Sequence, residues 1–427
     1  MFKVDKAPYP LRICLDARLI SGTAGGVEQF IVGLAYGLSR LTDGQEEYHF
    51  LAYSDADAWI RSYLSGPCRI MHCSKAPRSS GARSLLKTKL PKIDNLLQKF
   101  YPVSERWKIR NLWSDGTIEK AHIDIMHFTQ QVAFLTKVLS IYHPHDLQHK
   151  QFPDYFSMSK RLMREVLYRV FCSRAHLVAV GTSWIKYDLI RNYHLSKDKV
   201  QVIPLAPVIS AYQEPTMNDL SEVKQKFSLP HSFIFYPAQT WPHKNHLGLL
   251  DAITIIRKRN GMVVSAVFAG SIAESFFPQI EQRIQAMRLD AQTRFLGFIT
   301  PLELQCLYRL AKCVVIPTKY EAGSFPLWEA FLARVPVACS NVTSLPAQAG
   351  DAALIFDPDH PEEIADAILR LYVDESLRKT LIERGYRNVT LFSWERTARI
   401  FRAHYRRIAQ RPLTEEDIEL LTAPPLI

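Results

Sequence analysis

Two glutamates, Glu321 and Glu329, bracket the stretch EAGSFPLWE, which follows the apolar run CVVIP and leads into a helix that opens near Pro326. Proline suits a first helical turn because its missing N–H would lack a partner there. The small residues Gly323 and Ser324 leave amides exposed just ahead of that helix, a ready place for an anion or a hydroxyl. Glu321 in the loop and Glu329 one turn into the helix can face one ligand. Two carboxylates so placed suit hydrogen bonds to sugar hydroxyls, one pair on a hexose and one on a ribose. Acids that merely offset a helix dipole are the plain alternative.

A second stretch, YPAQTWPHKNH, closes a strand and enters the helix KNHLGLLDAITIIRKR. Lys244 at that helix start is a point cation beside unpaired N–H groups, as a diphosphate needs. An ordinary turn with a surface lysine is the alternative. A third, IYHPHDLQH, sets histidines at the C-terminal edge of a strand, where one can hydrogen-bond a sugar or shuttle a proton. The spacing of His143, His145, His149 and His246 matches no standard metal-ligand pattern. The turn GTAGGVE lacks the dinucleotide spacing of glycines but lets a ligand approach backbone. Asp55-Ala-Asp57 and Asp357-Pro-Asp359 could hold a divalent cation; each precedes a helical segment, and capping explains both more simply. No metal site and no resident cofactor is expected.

The elements that must position these residues are short apolar strands alternating with amphipathic helices. Strands are predicted over 12–16, 48–53, 124–128, 139–142, 176–180 and 201–203, then over 232–236, 263–269, 294–296, 313–316, 335–339 and 353–355, with a first helix over 26–38. Such alternation implies parallel sheets with helices on both faces. The Pro-rich, polar stretch IPLAPVISAYQEPTMNDL marks a boundary after which the pattern restarts. The expectation is an α/β protein of two doubly wound, Rossmann-like domains facing across a cleft, the first over 1–210 and the second over 225–390. Residues 79–111 interrupt the first with eight cations, Arg83 to Arg110, among leucines and aromatics. A solvated surface segment is the simpler reading; docking on an anionic membrane surface is the functional one.

The chain has 427 residues, enough for two domains of ordinary size. Its net charge of +11 favours an anionic partner. Nucleic acid is disfavoured, since no recognition motif or aromatic-interleaved basic stripe is present. No run is long and apolar enough to cross a membrane, and the start does not read as a signal peptide. Seven scattered cysteines without a C-x-x-C pair read as buried thiols in a reducing compartment, so a cytoplasmic location is expected.

The order of these features is diagnostic: a GGVE loop, a histidine–aspartate loop, a lysine after the first strand of the second domain, the paired glutamates, and SLP…AGDAALIFDP. Over nearly the whole chain this resembles the family-4 retaining glycosyltransferases of the GT-B fold. YPAQTWPHKNH and EAGSFPLWEAF are most similar to mannosyltransferases of bacterial surface polysaccharides such as O-antigen. The resemblance implies that Glu321 holds the donor sugar, Glu329 the ribose, and Lys244 the leaving diphosphate. His145 would lie near the reacting carbon. The amides of Gly323, Ser324 and Phe325 would bind sugar hydroxyls, and Gly26 would lie under the phosphates or the acceptor. Residues 391–412 would form a helix crossing back to the first domain. Many relatives carry an arginine where Ala238 stands, and a glutamate where Ala347 stands. One cation for two phosphates is thin, so Gln239, His243 and Asn245 are candidates to share that work.

The implied reaction moves a hexose from a nucleotide-sugar, GDP-mannose favoured, to a saccharide or lipid-linked acceptor, without a metal. The enzyme would work in the cytoplasm or peripherally on the inner face of the cytoplasmic membrane. Two other readings stay open: a non-catalytic scaffold that keeps the fold, and another enzyme of the same fold, such as a sugar-nucleotide epimerase or a phosphorylase.

Overall fold

The structure, a computed structural model, describes residues 9–22, 25–73 and 112–427. The basic stretch 79–111 lies outside the described residues. The chain divides into two compact units, Met1–Pro204 with Trp394–Leu426, and Leu205–Ser393.

The first unit holds strands β1 (Leu11–Asp16), β2 (Glu46–Tyr53), β3 (Cys68–Cys73), β4 (Ile125–Phe128), β5 (Leu139–Tyr142), β6 (Leu177–Val180) and β7 (Val200–Val202). They form one parallel sheet in the order β3-β2-β1-β4-β5-β6-β7. The second unit holds β8 (Phe233–Pro237), β9 (Ser265–Ala269), β10 (Thr293–Phe295), β11 (Cys313–Ile316), β12 (Val337–Ser340) and β13 (Ala353–Phe356). These are also parallel, ordered β10-β9-β8-β11-β12-β13. Parallel strands covered on both faces must be apolar throughout. Accordingly every residue of β4, β6, β11 and β12 is buried.

In each sheet the chain first winds outward one way and then returns to wind the other. The direction reverses between β1 and β4, and between β8 and β11. At such a point the loops leaving the carboxyl ends of neighbouring strands diverge and leave room for a ligand. The sequence motifs fall on these loops.

One strand, β3, has no counterpart among the predicted strands. It is the edge of its sheet and its residues, CRIMHC, are only partly covered. Two other expectations need correction. Asp57 is the residue ahead of its helix, yet its side chain makes no cap; it binds Arg61 at 2.5 and 3.0 Å and His72 at 2.7 Å. Asp357 accepts from the Asp359 amide at 2.9 Å, two residues ahead of the helix Pro361–Val373, whose N-cap is His360. Both carboxylates make contacts other than helix capping, Asp57 with two side chains and Asp357 within a turn.

The helix Gly26–Leu38 carries the first unit's packing. Its Gly33 and Gly37 let the helix Trp394–Ile408 come close. A Cβ on Gly33 would lie 1.9 Å from the Trp394 ring, and one on Gly37 would lie 2.2 Å from the Trp394 carbonyl oxygen. Trp394 is fully buried there, with its ring centroid 6.2 Å from that of Phe30. No helix among the described residues is long and apolar enough to cross a membrane. All seven cysteines are free, six buried and Cys73 half-buried.

Candidate functional site

In the second unit, β8 ends at Pro237 and a short 3-10 turn, Pro242–Lys244, leads into the helix His246–Asn260. Asn245 joins the two with a left-handed backbone, φ 56°, a conformation that asparagine tolerates better than most residues. Its side chain is committed at both ends. The carbonyl accepts from the Gly248 amide at 3.3 Å, and the NH2 donates to the Pro358 carbonyl at 2.9 Å. The structure thus gives Asn245 a capping role. His246 is buried among Tyr236, Phe268 and Phe295. Burial there pushes its pKa down to about 3, so it is a neutral core ring.

The loop leaving β11 lies against this turn. The Lys319 amide donates to the His243 carbonyl at 2.7 Å, and the Thr318 hydroxyl donates to the same oxygen at 3.1 Å. Farther along, the Glu321 carbonyl accepts from the hydroxyls of Thr343 (2.5 Å) and Ser344 (2.8 Å), while its amide donates to Thr343 Oγ1 at 3.1 Å. So anchored, Glu321 meets Lys244: Nζ to Oε2 is 2.7 Å, with both side chains mostly buried. Two residues from different loops are thereby joined at the point where the winding reverses.

The helix Phe325–Leu332 follows, with Pro326 in its first turn and Gly323 exposed just ahead of it. Ser324 is its N-cap, but its hydroxyl makes no cap; its amide donates to Gln348 Oε1 at 2.9 Å. Phe325 is buried. Glu329 is held apart from the ion pair. It is 1% exposed, and the Tyr308 hydroxyl donates to its Oε2 at 2.7 Å. Burial lifts its pKa to about 7, against the smaller opposing effect of that hydrogen bond.

The sign of that shift fixes a stability effect. A carboxyl with a raised pKa in the fold costs nothing below its ordinary value of 4.5. The cost grows as pH rises and is complete above about 7. About 2.5 pKa units correspond to roughly 3 kcal/mol. Glu329→Gln keeps an oxygen for the Tyr308 hydroxyl and removes the charge. The variant is expected to be more stable than the parent by about 3 kcal/mol at pH 8, and equal to it near pH 4.5. Urea unfolding at the two pH values measures this; a pH-independent difference would contradict it.

In the first unit, the switch point collects the loops after β1, β4 and β5. Arg18 forks onto the buried Asp16 at 2.7 and 2.8 Å. Glu28 accepts from the Ser21 hydroxyl at 2.7 Å and the Gly22 amide at 2.8 Å, and Gly26, which opens the helix, is exposed. His145 has a left-handed backbone, φ 67°, and its Nε2 lies 2.7 Å from the Thr129 carbonyl. A carbonyl only accepts, so Nε2 carries the proton and Nδ1 is the ring's acceptor. Burial holds the ring below the usual histidine pKa, more strongly than the Thr129 carbonyl raises it. Its neighbour His143 is buried between Phe30 and His145, with ring centroids at 4.8 and 4.3 Å. His149 is buried and pairs with Glu165 at 3.3 Å. Among the described residues no three histidines, cysteines or carboxylates gather as a metal ion would require.

Lys244 and Glu321 are thus brought together and Glu329 is placed separately in the same unit, whereas Gly26 and His145 belong to the switch point of the other. Sequence reasoning missed Tyr308, Thr129, Ser344 and Gln348. Each acts on a residue 16 to 24 positions away in the chain, beyond the reach of any local spacing.

Comparison with known proteins identifies relatives of the chain. The profile of the family "Glycosyl transferases group 1" matches residues 219–388. The chain is 30% identical over 257 residues to O-antigen chain mannosyltransferase B of Escherichia coli, covering 59% of this chain and 66% of that protein. It is 28% identical over 192 residues to the serotype-specific mannosyltransferase WbdA of Escherichia coli, covering 45% of this chain and 24% of that one. Among solved structures, sucrose-phosphate synthase from Thermosynechococcus elongatus superposes with a TM-score of 0.70 at 19% identity, covering 94% of this chain and all of that one. Anabaena HepE in complex with UDP and glucose gives 0.67 at 16% identity, covering 92% and 99%. At these identities the two structures speak for the fold alone.

Proposed function

Because residues 219–388 form a domain of the glycosyl transferases group 1 family and the chain is homologous to O-antigen mannosyltransferases, we propose that it is a retaining hexosyltransferase of surface-polysaccharide synthesis. The favoured donor is GDP-mannose, and the acceptor a saccharide or lipid-linked saccharide. The observation that carries this reading is the 2.7 Å contact of Lys244 with Glu321 at the reversal of the second sheet. A cation and a carboxylate joined there match the two ends of a sugar phosphate: the ammonium the phosphoryl oxygens, the carboxylate the sugar hydroxyls.

In the reaction the bond from the anomeric carbon to the diphosphate breaks and a bond to the acceptor oxygen forms on the same face. The acceptor's proton passes to an oxygen of the leaving phosphate. Lys244 stabilises the charge that develops on that group, and such stabilisation is usually the largest contribution to a catalysed rate. No metal is needed for this step. His145, neutral and with Nδ1 as its acceptor, takes a hydrogen bond from a sugar hydroxyl near the reacting carbon. Glu329 receives the ribose hydroxyls, which requires the ionised carboxylate, so donor affinity should fall as pH drops below about 7.

The test is release of nucleoside diphosphate from GDP-mannose and from UDP-glucose, with and without an O-antigen-type acceptor. Acceptor-dependent release of GDP that persists in excess EDTA, and a product with the donor's anomeric configuration, are the expected results. No release from either donor would refute the activity. Loss in EDTA with recovery on adding manganese would refute metal independence.

A further inference from the structure

The ion pair at the site has a consequence for the donor's phosphates. Glu321 already offsets the charge of Lys244, so the pair is neutral as a unit. The groups near it in sequence add little. Ala238 has no functional group, and Asn245 is committed to capping. Gln239 accepts the Trp241 indole N–H at 2.5 Å. Beyond Lys244 and the Gln239 NH2, whose own oxygen alone is engaged by Trp241, a diphosphate calls for further donors.

Two fully buried side chains are unsatisfied at the start of the helix Phe325–Leu332. Ser324 Oγ has no partner among the described residues, although serine at an N-cap ordinarily bonds the first-turn amides. Gln348 Nε2 has none either. The orientation of that carboxamide is fixed: its oxygen accepts from the Ser324 amide at 2.9 Å, and an amide N–H can only donate. The same oxygen lies 3.1 Å from Ser344 Oγ, which itself donates to the Glu321 carbonyl at 2.8 Å. Ser344 therefore sits between the orphan groups and the residue that holds Lys244, its hydroxyl within reach of both the Glu321 carbonyl and Gln348 Oε1. A buried donor without an acceptor is costly and rare. Sugar hydroxyls both donate and accept, and the carboxylates of the site suit them. Phosphoryl oxygens only accept, which matches a donor-only NH2 beside a hydroxyl and a helix N-terminus.

We propose that Ser324 Oγ and Gln348 Nε2 hydrogen-bond the diphosphate of the nucleotide-sugar, supplying with neutral donors what a second cation would otherwise supply. This rests on the glycosyltransferase reading and names two residues of its donor site.

The experiment is calorimetric binding at pH 8 of GDP, UDP, inorganic pyrophosphate and guanosine to the full chain and to Gln348→Glu and Ser324→Ala. Gln348→Glu keeps an oxygen for the Ser324 amide but turns a negative charge toward the phosphates. GDP and pyrophosphate should bind it at least about 10-fold more weakly, with guanosine unchanged. Ser324→Ala, the gentler change, should weaken GDP about 3-fold and serves if the first variant does not fold. Unchanged GDP affinity in Ser324→Ala and in folded Gln348→Glu overturns the proposal. So does equal weakening of GDP and guanosine, or a shift in melting temperature alone, as a buried water between the two groups would produce. A wild-type chain that binds neither GDP, UDP nor pyrophosphate would instead defeat the glycosyltransferase reading itself, and this proposal with it.

Discussion

Lys244→Ala is expected to lower turnover by at least about 100-fold, which corresponds to roughly 3 kcal/mol of lost charge stabilisation in the transition state. Glu321→Ala should cost a similar factor through the sugar. The 2.7 Å contact between them makes the losses non-additive. Removing lysine alone leaves a mostly buried carboxylate unopposed where the diphosphate arrives. Removing both takes away that repulsion. The double variant should therefore bind GDP more tightly than Lys244→Ala alone, while staying as inactive as either single variant. Initial rates of GDP release and GDP titrations measure the two halves of this expectation. Near-normal turnover in both single variants would remove the pair from the site. A double variant that binds more weakly than Lys244→Ala would show that the glutamate does not oppose the phosphate.

The largest stability effect is expected at Trp394. Truncating a fully buried tryptophan to alanine typically costs about 3 to 5 kcal/mol, because the cavity cannot collapse completely. Here the indole lies against Gly33, which has no side chain to relax into the gap, while Gly37 packs on the Trp394 carbonyl. For a unit of this size the loss lowers its melting transition by on the order of 10 °C. Phe30 spans the distance from this contact to the site: its ring centroid lies 6.2 Å from Trp394 on one side and 5.7 Å from His145 on the other. Gly33→Ala, which drives a methyl into the ring, should destabilise from the other side of the contact. Calorimetry of the two variants decides it. A loss under about 1 kcal/mol in both would mean that the helix Trp394–Ile408 contributes little to that unit.

The parallel sheets were legible because strands covered on both faces must be continuous apolar runs. LSIY and CVVI stand out by composition alone and occupy the positions predicted for them. CRIMHC does not, because an edge strand needs cover on only part of its surface and keeps its arginine and histidine. The glutamates and the lysine were visible because Lys244 and Glu321 follow strand ends and Glu329 lies in the helix that comes directly after. What holds them was not. Tyr308 reaches Glu329 from another helix, and Gln348 reaches Ser324 from a helix beyond the next strand. Asn245 is a different case, since its local setting carried the signal: an asparagine three residues before Gly248 at the head of an apolar helix is an N-cap pattern, and the site reading passed over it. Asp57 failed as a cap for the opposite reason, its partner His72 lying fifteen residues on.

The first unit is built from two separate lengths of chain, with Leu205–Ser393 between them. On the ribosome, Gly33 and Gly37 emerge early, and Trp394 follows only after the whole intervening unit has been made. At 5 to 20 residues per second that intervening unit alone takes about 10 to 40 s. By its end the second unit has all its strands and can fold, while the earlier unit has its sheet but an uncovered groove on one helix. Nascent chains arrested before Trp394 should accordingly be cut by protease in their first 204 residues and resist it afterwards, and a chaperone that shields apolar grooves has its opportunity in that interval.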